Sequence, residues 1–303
     1  MTVLPLHDRD GEIWLDGRFV PWRDAHLHVL AHGLHYGGGI FEGERVYDGQ
    51  VFKLTEHTER LHASARELGF ELPYTVAELD GATRELVRRQ GIGNGYVRPV
   101  AWRGSEHISV AGAGASVHVA LATWEWPHVF SAEAKAAGIR LGTTRWRRPA
   151  PDTAPVRAKA ASLYNICTLA RDEADAAGFD DALFLDYRGY VAEATGANLF
   201  LVAGSVLHTP TADCFLAGIT RRTVLDLAAE LGIEVVERHI GPDELGDFDE
   251  CFLTGTAYEV QPVREIDGHR FTVGKTTTAL LEAYEELVHA PADARPAAGA
   301  GAP

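Results

Sequence analysis

The sequence predicts an α/β (α+β) fold made of two α/β subdomains with a cleft between them. The chain has 303 residues, of which 46% are hydrophobic and 23% charged, and this length is enough for two domains. Strand-like runs are mixed with helical spacing in both halves, and residues 124–131 interrupt the pattern. We expect a small N-terminal α/β domain (1–125), an interdomain linker (126–135), a large C-terminal domain (136–289) and a disordered tail (290–303).

Two Asp-Gly pairs in the first half predict β-hairpins, because these residues suit the tight turns between antiparallel strands. The pairs are Asp16-Gly17 and Asp48-Gly49. The apolar spacing then changes to that of a helix, which Gly69 ends. The predicted strands are 12–15, 18–20, 44–47, 50–52, 95–101 and 116–123, and the predicted helices are 54–68 and 76–89.

The second half predicts a longer mixture of short strands and helices. Gly178 ends one helix, and Gly218-Ile219-Thr220 opens an amphipathic helix that Gly232 ends. The predicted helices are 162–177, 218–231 and 276–288, and the predicted strands are 139–143, 182–187, 190–193, 198–202, 206–209, 235–236 and 250–253.

Composition and charge argue against several classes of partner. The net charge is −15 and no segment is rich in Lys and Arg, so we expect neither nucleic acid nor an anionic membrane as a partner. No run of about 18 apolar residues predicts a membrane span, and the first residues do not have the pattern of a signal peptide. The three widely spaced cysteines suggest buried thiols in a reducing compartment. We therefore expect a cytoplasmic protein.

Lys159 is the strongest candidate for a catalytic residue. It is one of four lysines, and the small residues Ala158, Ala160 and Ala161 leave room for a bulky group beside it. A half-buried lysine loses proton affinity and becomes an amine nucleophile that can form an imine with a carbonyl cofactor. A surface lysine at the start of a helix is the alternative, and the other motifs have to decide between the two.

Four further motifs suit ligand binding, and each also has an ordinary structural explanation. Glu193 lies among small and apolar residues, where a buried carboxylate needs a proton or a cation; a solvated strand residue is the alternative. Gly218-Ile219-Thr220 offers helix N-terminal amides to a phosphate, or Thr220 is an N-cap. Residues 254–257 offer N–H and hydroxyl donors, or form a simple turn. Tyr96 and Arg98 share one face of a strand, which suits a carboxylate or a cross-strand surface pair.

The sequence gives little support for metal chemistry. It contains no His-Glu-x-x-His or Cys-x-x-Cys motif, and His32 and His35 precede a loop at 36–39. It also contains no Gly-x-Ser-x-Gly elbow, Walker loop or dinucleotide-binding glycine motif. We therefore expect no metal ion and no nucleotide cofactor of the dinucleotide type.

Taken in order, these segments resemble the class IV (fold type IV) pyridoxal-phosphate aminotransferases, and within them the branched-chain amino acid aminotransferases. The resemblance extends from about residue 12 to about residue 286 and rests on the ordered set rather than on any single motif. The segments that carry it are His35-Tyr36-Gly37, Phe41-Glu42-Gly43, Arg60-Leu61, Tyr96-Val97-Arg98-Pro99, Ala158-Lys159-Ala160 with Tyr164, Glu193 with Asn198, Gly218-Ile219-Thr220 and Thr254-Gly255-Thr256-Ala257. It implies a D-amino acid aminotransferase-like fold with the active site in the interdomain cleft.

The resemblance implies pyridoxal 5′-phosphate as the cofactor and a role for each matched residue. Lys159 would form the imine and then move a proton between the substrate Cα and the cofactor C4′. Glu193 would keep the pyridine nitrogen protonated, which makes the ring a better electron sink, and Tyr164 would bind the 3-oxygen. The residues implied to bind the cofactor are Arg60, Lys159, Tyr164, Glu193, Asn198, Gly218, Ile219, Thr220 and Thr256.

The resemblance also implies the substrates and the assembly. The implied reaction moves the amino group of L-valine, L-leucine or L-isoleucine to 2-oxoglutarate by a ping-pong mechanism. Arg98 would bind the side-chain carboxylate of glutamate or 2-oxoglutarate. The α-carboxylate would lie near Thr256-Ala257 and the Tyr96 hydroxyl. The residues implied to contact substrate are Tyr36, Phe41, Tyr96, Arg98, Trp126, Thr256, Ala257 and Tyr258. A homodimer or higher homo-oligomer is implied, in which the Tyr36 region and the loop at 107–111 reach the neighbouring subunit's active site.

Three segments depart from the usual family pattern and leave alternatives open. The segment 37–39 is rich in glycine, the loop at 104–114 is individual, and Tyr258 stands where a small residue is common, so that its phenol would narrow the pocket or reach the substrate. Neutral sequence drift in a surface loop is one explanation of these departures. The other is an altered amino donor or acceptor, such as an aromatic or non-standard amino acid. The rivals within the class are D-amino acid aminotransferase, (R)-amine transaminase and aminodeoxychorismate lyase, against which Tyr96-Val97-Arg98 argues. An inactive scaffold relative is the non-enzyme alternative, against which the retained lysine and cofactor-binding residues argue.

Overall fold

The computed structural model describes residues 5–127 and 129–291. Both predicted Asp-Gly hairpins are present, and the aspartates Asp16 and Asp48 have positive φ angles of 47° and 51°. Left-handed residues in a two-residue loop match the twist of the paired strands, which is why Asp-Gly predicts this turn. The elements of the first stretch are β1 (Glu12–Leu15), β2 (Arg18–Pro21), α1 (His32–His35), β3 (Gly39–Phe41), β4 (Glu44–Tyr47), β5 (Gln50–Val51), α2 (Leu54–Glu67), α3 (Val76–Arg89), β6 (Gly95–Arg103) and β7 (Val117–Glu125).

Within residues 5–127, seven strands form one antiparallel sheet in the order β2-β1-β7-β6-β4-β5, with β3 paired to β6. Helix α3 begins at the predicted residue because Thr75 caps it: the Thr75 hydroxyl accepts from the Glu78 amide at 3.3 Å, and the Glu78 carboxylate accepts from the Thr75 amide at 2.7 Å. Helices α2 and α3 contribute Leu61 and Leu79 to the apolar core of this sheet. This core supports β3 and β6, which carry several of the candidate substrate-binding residues.

The elements of the second stretch follow in chain order. They are α4 (Ala132–Ala137), β8 (Ile139–Arg148), α5 (Asn165–Ala176), β9 (Asp181–Asp186), β10 (Val191–Ala194), β11 (Asn198–Ala203), β12 (Val206–Pro210), α6 (Ile219–Glu230), β13 (Val235–Arg238), β14 (Glu250–Gly255), β15 (Glu259–Ile266), β16 (His269–Arg270) and α7 (Lys275–His289). Short 3-10 helices lie at Trp22–Asp24, Ala161–Leu163 and Pro242–Asp247.

Within residues 129–291, nine strands form a mixed sheet in the order β10-β9-β8-β15-β14-β11-β12-β13, with β16 paired to β15. Strands β10 and β11 also pair with each other through Glu193 and Asn198, so six strands form a closed circuit. Leucines from β9, β11 and β14 fill an apolar core on this sheet: Leu183, Leu199 and Leu253. The closing pair therefore places two candidate functional residues side by side above a packed core.

The strand Glu259–Ile266 is the main element that the sequence analysis missed. It lies in the middle of the sheet, between β14 and β8, although it contains Pro262 and several polar residues. A proline cannot donate a ladder hydrogen bond and usually marks a sheet edge. Here the pairing with β8 begins only at Val263, so Pro262 has no partner strand on that side. Strand β7 also continues to Glu125, and α4 occupies part of the predicted linker.

The described residues divide into two compact units. The first contains the chain up to Pro127 together with Ala158–Ser162, and the second contains the rest up to Pro291. The predicted mixture of helices and strands is confirmed, whereas the predicted boundaries at 126–135 and 136–289 stay predictions. The predicted disordered tail lies outside the described residues except for Ala290 and Pro291. None of the helices in the described ranges has the length and apolar character needed to cross a membrane.

Candidate active site

Lys159 is held in the first unit by its own backbone. Its amide donates to the Ser64 hydroxyl at 3.0 Å, and its carbonyl accepts from the Phe41 amide at 3.2 Å. Its neighbour Ala160 forms a β-bridge with Ile40. The side chain is half-buried, and its Nζ lies 5.1 Å from the centre of the Phe41 ring. The lysine is therefore a positioned, partly desolvated amine rather than a surface residue at the start of a helix.

The predicted substrate-binding residues of β3 and β6 form one group beside this lysine. The Arg98 guanidinium lies 4.8 Å from the Phe41 ring centre and 5.5 Å from that of Tyr96, and Trp126 packs edge-on against Tyr96 at 4.2 Å. Burial raises the pKa of Tyr96, and the charges of Arg98 and Lys159 oppose that shift. Within the described ranges the Nε of Arg98 is buried without a hydrogen-bond partner. These side chains together offer aromatic walls and an incompletely satisfied cation.

A close backbone approach explains the glycine of the Phe41-Glu42-Gly43 motif. A Cβ at Gly43 would collide with the hydroxyl of Tyr96. The nearby Gly37 has a φ of 68°, and a Cβ there would lie 3.1 Å from the Cβ of Ser162. A side chain at either position would therefore displace Tyr96 or the segment that carries Lys159.

Arg60, predicted to bind a phosphate, is oriented by a buried acid. Its Nε and one terminal nitrogen donate to the two oxygens of Glu42 at 2.7 and 2.8 Å, and the ring of His57 lies 2.7 Å from the same carboxylate. Burial alone would raise the pKa of Glu42, but the charge and hydrogen bonds of Arg60, helped by His57, hold that pKa well below its usual range. Burial lowers the pKa of His57 against the opposing effect of Glu42. The guanidinium is thus fixed in direction.

A second buried acid lies two residues further along the chain. Glu44 is fully buried in β4, and neither of its carboxyl oxygens has a hydrogen-bond partner among the described residues. Burial is the main cause that raises its pKa well above the usual value, with the charges of Glu42 and Asp80 adding to the shift. Burial therefore favours the neutral form of Glu44, whereas Arg60 favours the charged form of Glu42.

Glu193 lies in the second unit beside a cation that the sequence analysis did not identify. Its Oε1 forms an ion pair with the Nε of Arg148 at 3.1 Å, although this contact is not aligned as a hydrogen bond. Burial lowers the pKa of Arg148, but the electrostatic effect of Glu193, together with those of Cys167 and Tyr164, raises this pKa overall. The side-chain amide of Asn198 donates to Glu193 at 3.2 Å. The solvated-strand interpretation of Glu193 is therefore replaced by a buried, paired carboxylate.

Asn198 also connects Glu193 to the start of helix α6. Its Nδ2 donates to the Leu216 carbonyl at 3.0 Å, and its Oδ1 accepts from the Gly218 amide at 3.1 Å. Gly218 is the N-cap, a Cβ there would collide with Asn198, and no side chain in the described ranges caps the helix. The first amides of a helix have no intrahelical partner. Ile219 and Thr220 therefore lie where backbone donors and the helix dipole favour an anion.

The turn after β14 holds the remaining predicted residues of the second unit. Thr256, Ala257 and Tyr258 follow β14 and are half-buried. The hydroxyl of Thr254, at the end of β14, is buried without a hydrogen-bond partner in the part of the chain that is described. The Tyr258 hydroxyl donates to Asp181 at 2.7 Å, so it has a protein partner. Tyr164 precedes helix α5 and packs against the apolar core of that helix.

Tyr36 is a partly exposed candidate residue of the first unit. It is 42% exposed, and its ring packs on His32 and His35 at centre-to-centre distances of 4.9 and 4.3 Å. The neighbouring segment exposes several apolar side chains, and so does the loop near residue 109. These exposed residues are Leu27, Val29, Leu30, Leu34, Ile108 and Val110.

One cluster has the spacing of a metal site but already contains a cation. Ligand atoms of Asp186, Asp213 and Cys214 lie within 4.8 Å of one another. A single nitrogen of Arg188 pairs with Asp186 at 2.6 Å and with Asp213 at 2.9 Å. Burial, together with these acids, raises the pKa of the Cys214 thiol to about 12. The cluster is therefore explained as an ion-pair network around Arg188.

The residues that orient the candidate side chains were not indicated by the sequence. Glu42 and His57 fix Arg60, and Arg148 faces Glu193. Glu42 lies within the Phe41-Glu42-Gly43 motif, but the neighbouring sequence does not indicate that its partner is Arg60. Arg148 precedes a proline in a stretch that predicted only a loop.

Comparison with known proteins identifies the family of this chain. Residues 39–266 match the amino-transferase class IV family. A branched-chain-amino-acid aminotransferase of Pseudomonas aeruginosa is 43% identical over 292 residues, covering 94% of this chain and 95% of the relative.

Solved structures give the same result. A crystal structure of the T.th. branched-chain amino acid aminotransferase with pyridoxamine 5′-phosphate has a TM-score of 0.90 and 41% identity, covering 93% of this chain and 96% of that one. The same enzyme complexed with N-(5′-phosphopyridoxyl)-L-glutamate has a TM-score of 0.88 and 40% identity, covering 93% and 95%. The predicted fold class and the predicted resemblance are confirmed, and the chain belongs to the class IV aminotransferase family.

Proposed function

We propose that this protein is a pyridoxal-5′-phosphate-dependent transaminase that moves the amino group of L-valine, L-leucine or L-isoleucine to 2-oxoglutarate by a ping-pong mechanism. The observation that carries the proposal is the half-buried Lys159, held by Ser64 and Phe41 in a chain whose relatives are branched-chain aminotransferases. The pyridoxamine 5′-phosphate and phosphopyridoxyl-glutamate in the two T.th. structures support the choice of cofactor.

The residues of the second unit fit this cofactor. Glu193 is a buried carboxylate suited to keep the pyridine nitrogen protonated, and the uncapped start of helix α6 at Ile219 and Thr220 suits the phosphate. The hydroxyl of Thr254, which has no hydrogen-bond partner among the described residues, adds a buried polar atom close to the Thr256 turn. Tyr164 is the residue proposed to bind the 3-oxygen, and Gly218 and Asn198 hold the start of α6.

Once bound, the cofactor supplies a carbonyl carbon that reacts with amines and a ring that accepts electrons. The protein contributes the proton transfer and the orientation. Lys159 is the base that takes the proton from the substrate Cα, since its Nζ lies over Phe41 and is partly removed from water. Arg60, oriented by Glu42, is proposed to add a cation for the phosphate.

Substrate selection is assigned to the side chains around Arg98. Its buried Nε without a hydrogen-bond partner in the described ranges supports a role in binding the second carboxylate of glutamate or 2-oxoglutarate. Phe41 and Trp126 provide apolar surface for a branched side chain, and the α-carboxylate is assigned to Tyr96, Thr256 and Ala257. Whether Tyr258 also contacts substrate stays a prediction.

We extend the proposal to a cytoplasmic homodimer or higher homo-oligomer. The exposed apolar side chains of the first unit, including Val29, Leu34, Ile108 and Val110, support a subunit interface, because such residues are rarely exposed together on a monomer. Tyr36 is exposed in the same region and is proposed to reach the partner's active site. Sedimentation of the purified protein tests the assembly.

Half-reaction rates across a panel of L-amino acids test the function. We expect L-leucine, L-isoleucine and L-valine among the fastest donors, with 2-oxoglutarate as acceptor, and a visible absorbance band that each donor bleaches. D-alanine and (R)-amines serve as comparison substrates and should react far more slowly. The proposal is wrong if the branched-chain amino acids are among the slowest donors, or if the protein stays colourless after addition of pyridoxal 5′-phosphate.

A further inference from the structure

Asp181 is a buried carboxylate to which the proposed chemistry gives no role. It begins β9, and its side chain is 0% exposed. Its Oδ1 accepts from the Thr195 hydroxyl at 2.6 Å and from the Ala182 amide at 2.8 Å, and its Oδ2 accepts from the Tyr258 hydroxyl at 2.7 Å. Arg171 lies further away, with a nitrogen 3.9 Å from Oδ1. Neutral donors therefore provide the close contacts to this acid.

The two hydroxyls belong to two different turns of the second unit. Thr195 and Gly196 form the turn that joins β10 to β11, closed by the hydrogen bond from the Ala194 amide to the Ala197 carbonyl at 2.8 Å. That turn lies between Glu193 and Asn198 in the chain. Tyr258 ends the turn that joins β14 to β15, directly after the proposed carboxylate-binding residues. One carboxylate is thus bonded to both turns.

The two turns are also in direct contact. A Cβ at Gly255 would lie 3.0 Å from the Gly196 carbonyl oxygen, and a Cβ at Gly196 would lie 3.5 Å from the Tyr258 ring. The hydroxyls of Thr195 and Tyr258 are 3.5 Å apart. Because the contacts leave little free space, a displacement of one turn would be transmitted to the other.

The hydroxyl of Tyr258 is better placed to hold its own turn than to bind a ligand. Its hydrogen bond is directed at a fully buried acid, and its ring packs edge-on against Phe130 at 5.4 Å. A phenol in this position restricts the backbone of Thr256 and Ala257 from one side.

We infer that Asp181, Thr195 and Tyr258 form a positioning cluster that holds the turns 195–197 and 256–258 in the arrangement that binds the α-carboxylate of amino and 2-oxo acids. This inference rests on the proposed function for the identity of the ligand. The cluster acts through the backbone of the turns, and none of its three side chains contacts the reacting atoms.

Tyr258→Phe tests the cluster because it removes one hydroxyl and keeps the ring against Phe130. In the holoenzyme we expect the KM values for L-leucine and 2-oxoglutarate to rise about tenfold while kcat stays within about threefold, since uniform binding is lost. Hydrogen exchange of the holoenzyme should be faster at 195–197 and 255–258. Tyr187→Phe is the matched control: this tyrosine is 50% exposed in the same unit, and we expect no change in either measurement.

Thr195 supplies an independent test. Thr195→Val should repeat the rise in KM, Thr195→Ser should keep the wild-type values, and the double variant with Tyr258→Phe should fall short of the product of the two single effects. Unchanged KM and exchange in Tyr258→Phe would overturn the inference, and so would a fall in kcat at constant KM, which would place Tyr258 at the reacting atoms. A wild-type protein without transaminase activity would instead refute the proposed function, and the exchange measurement would still test the cluster.

Discussion

The two units of this protein hold a buried carboxylate in different ways. In the first unit, Glu42 is neutralised by Arg60 and accompanied by His57 at 2.7 Å. In the second, Asp181 is equally buried, but hydroxyls and one amide make its close contacts and Arg171 lies 3.9 Å away. The first acid fixes the direction of a basic side chain, whereas the second fixes two turns. Removing the carboxylate charge should therefore lower the free energy of unfolding more at Glu42 than at Asp181.

The largest effect is expected on the rate of transamination when Lys159 is replaced, whereas cofactor binding should remain. The first unit carries the amine Lys159 and the proposed phosphate ligand Arg60, whereas the second carries the residues assigned to the cofactor ring and the helix start assigned to the phosphate. Lys159→Ala should lower transamination by at least about a thousandfold, because no other group takes the Cα proton. The variant should still fold and bind the cofactor without the visible band of the wild-type protein, as absorbance and equilibrium dialysis would show. Lys275→Ala, an exposed lysine at the start of α7, should retain full activity.

The next effect compares the two acids directly. Glu42→Gln leaves Arg60 without its counter-charge and weakens the contact with His57, and it should cost about 3–5 kcal/mol of unfolding free energy. Asp181→Asn removes a buried charge and keeps one acceptor oxygen, while its amide nitrogen has to donate where the second oxygen accepted a hydroxyl. It should therefore cost about 1–3 kcal/mol. Urea denaturation of both variants measures the difference. Equal costs, or a larger cost for Asp181→Asn, would contradict the distinction between charge and neutral donors.

Glu44 is a buried acid whose carboxyl oxygens, unlike those of Glu42, have no hydrogen-bond partner among the described residues. Glu44→Met replaces a carboxyl that has no hydrogen-bond partner in the described part of the chain, and should stabilise the protein by about 1–3 kcal/mol. Because burial raises the pKa of Glu44 in the folded state, its contribution is lost as pH rises above the unfolded value of about 4.3. The gain in unfolding free energy should therefore be larger at pH 8 than at pH 5. A destabilised variant would show that Glu44 has a partner of its own.

The smallest expected effect is a pH dependence from His57. Burial lowers its pKa in the folded state, so the unfolded state binds more protons and stability falls as pH drops below about 6.5. The low pKa of Glu42 adds a further loss below about 4.3. In His57→Gln, the difference in unfolding free energy between pH 7.5 and pH 5.5 should shrink. The exposed His26→Gln serves as control and should keep the wild-type difference.

Local patterns predicted most of the fold. The Asp-Gly hairpins, helix α3 with its Thr75 cap and helix α6 after Gly218 depend on residues that are adjacent in the chain. Strand β15 was missed because it contains Pro262. The proline is tolerated there because β8 pairs with β15 only from Val263 onwards, and this pairing joins residues far apart in the chain. Ordered motifs were also enough to recognise the family.

The supporting residues of the candidate active site could not be predicted in the same way. The contacts of Glu42 with Arg60 and of Glu193 with Arg148 join residues far apart in the chain. A lone buried acid in a sequence indicates that a partner exists but not which residue it is. The Tyr258 hydroxyl illustrates the same limit, because its partner Asp181 lies 77 residues away.

The pairing of Glu193 with Asn198 closes the ring of six strands in the second unit. A strand that slips by one residue turns all its side chains to the opposite face, so this closure also protects the direction of the Glu193 carboxylate. Opening the ring would leave β10 with an unpaired edge, and such edges recruit other chains into aggregates. If Glu193 and Asn198 bind the cofactor as proposed, selection for solubility and selection for cofactor binding act on the same two residues, and variants that lose one property should tend to lose the other.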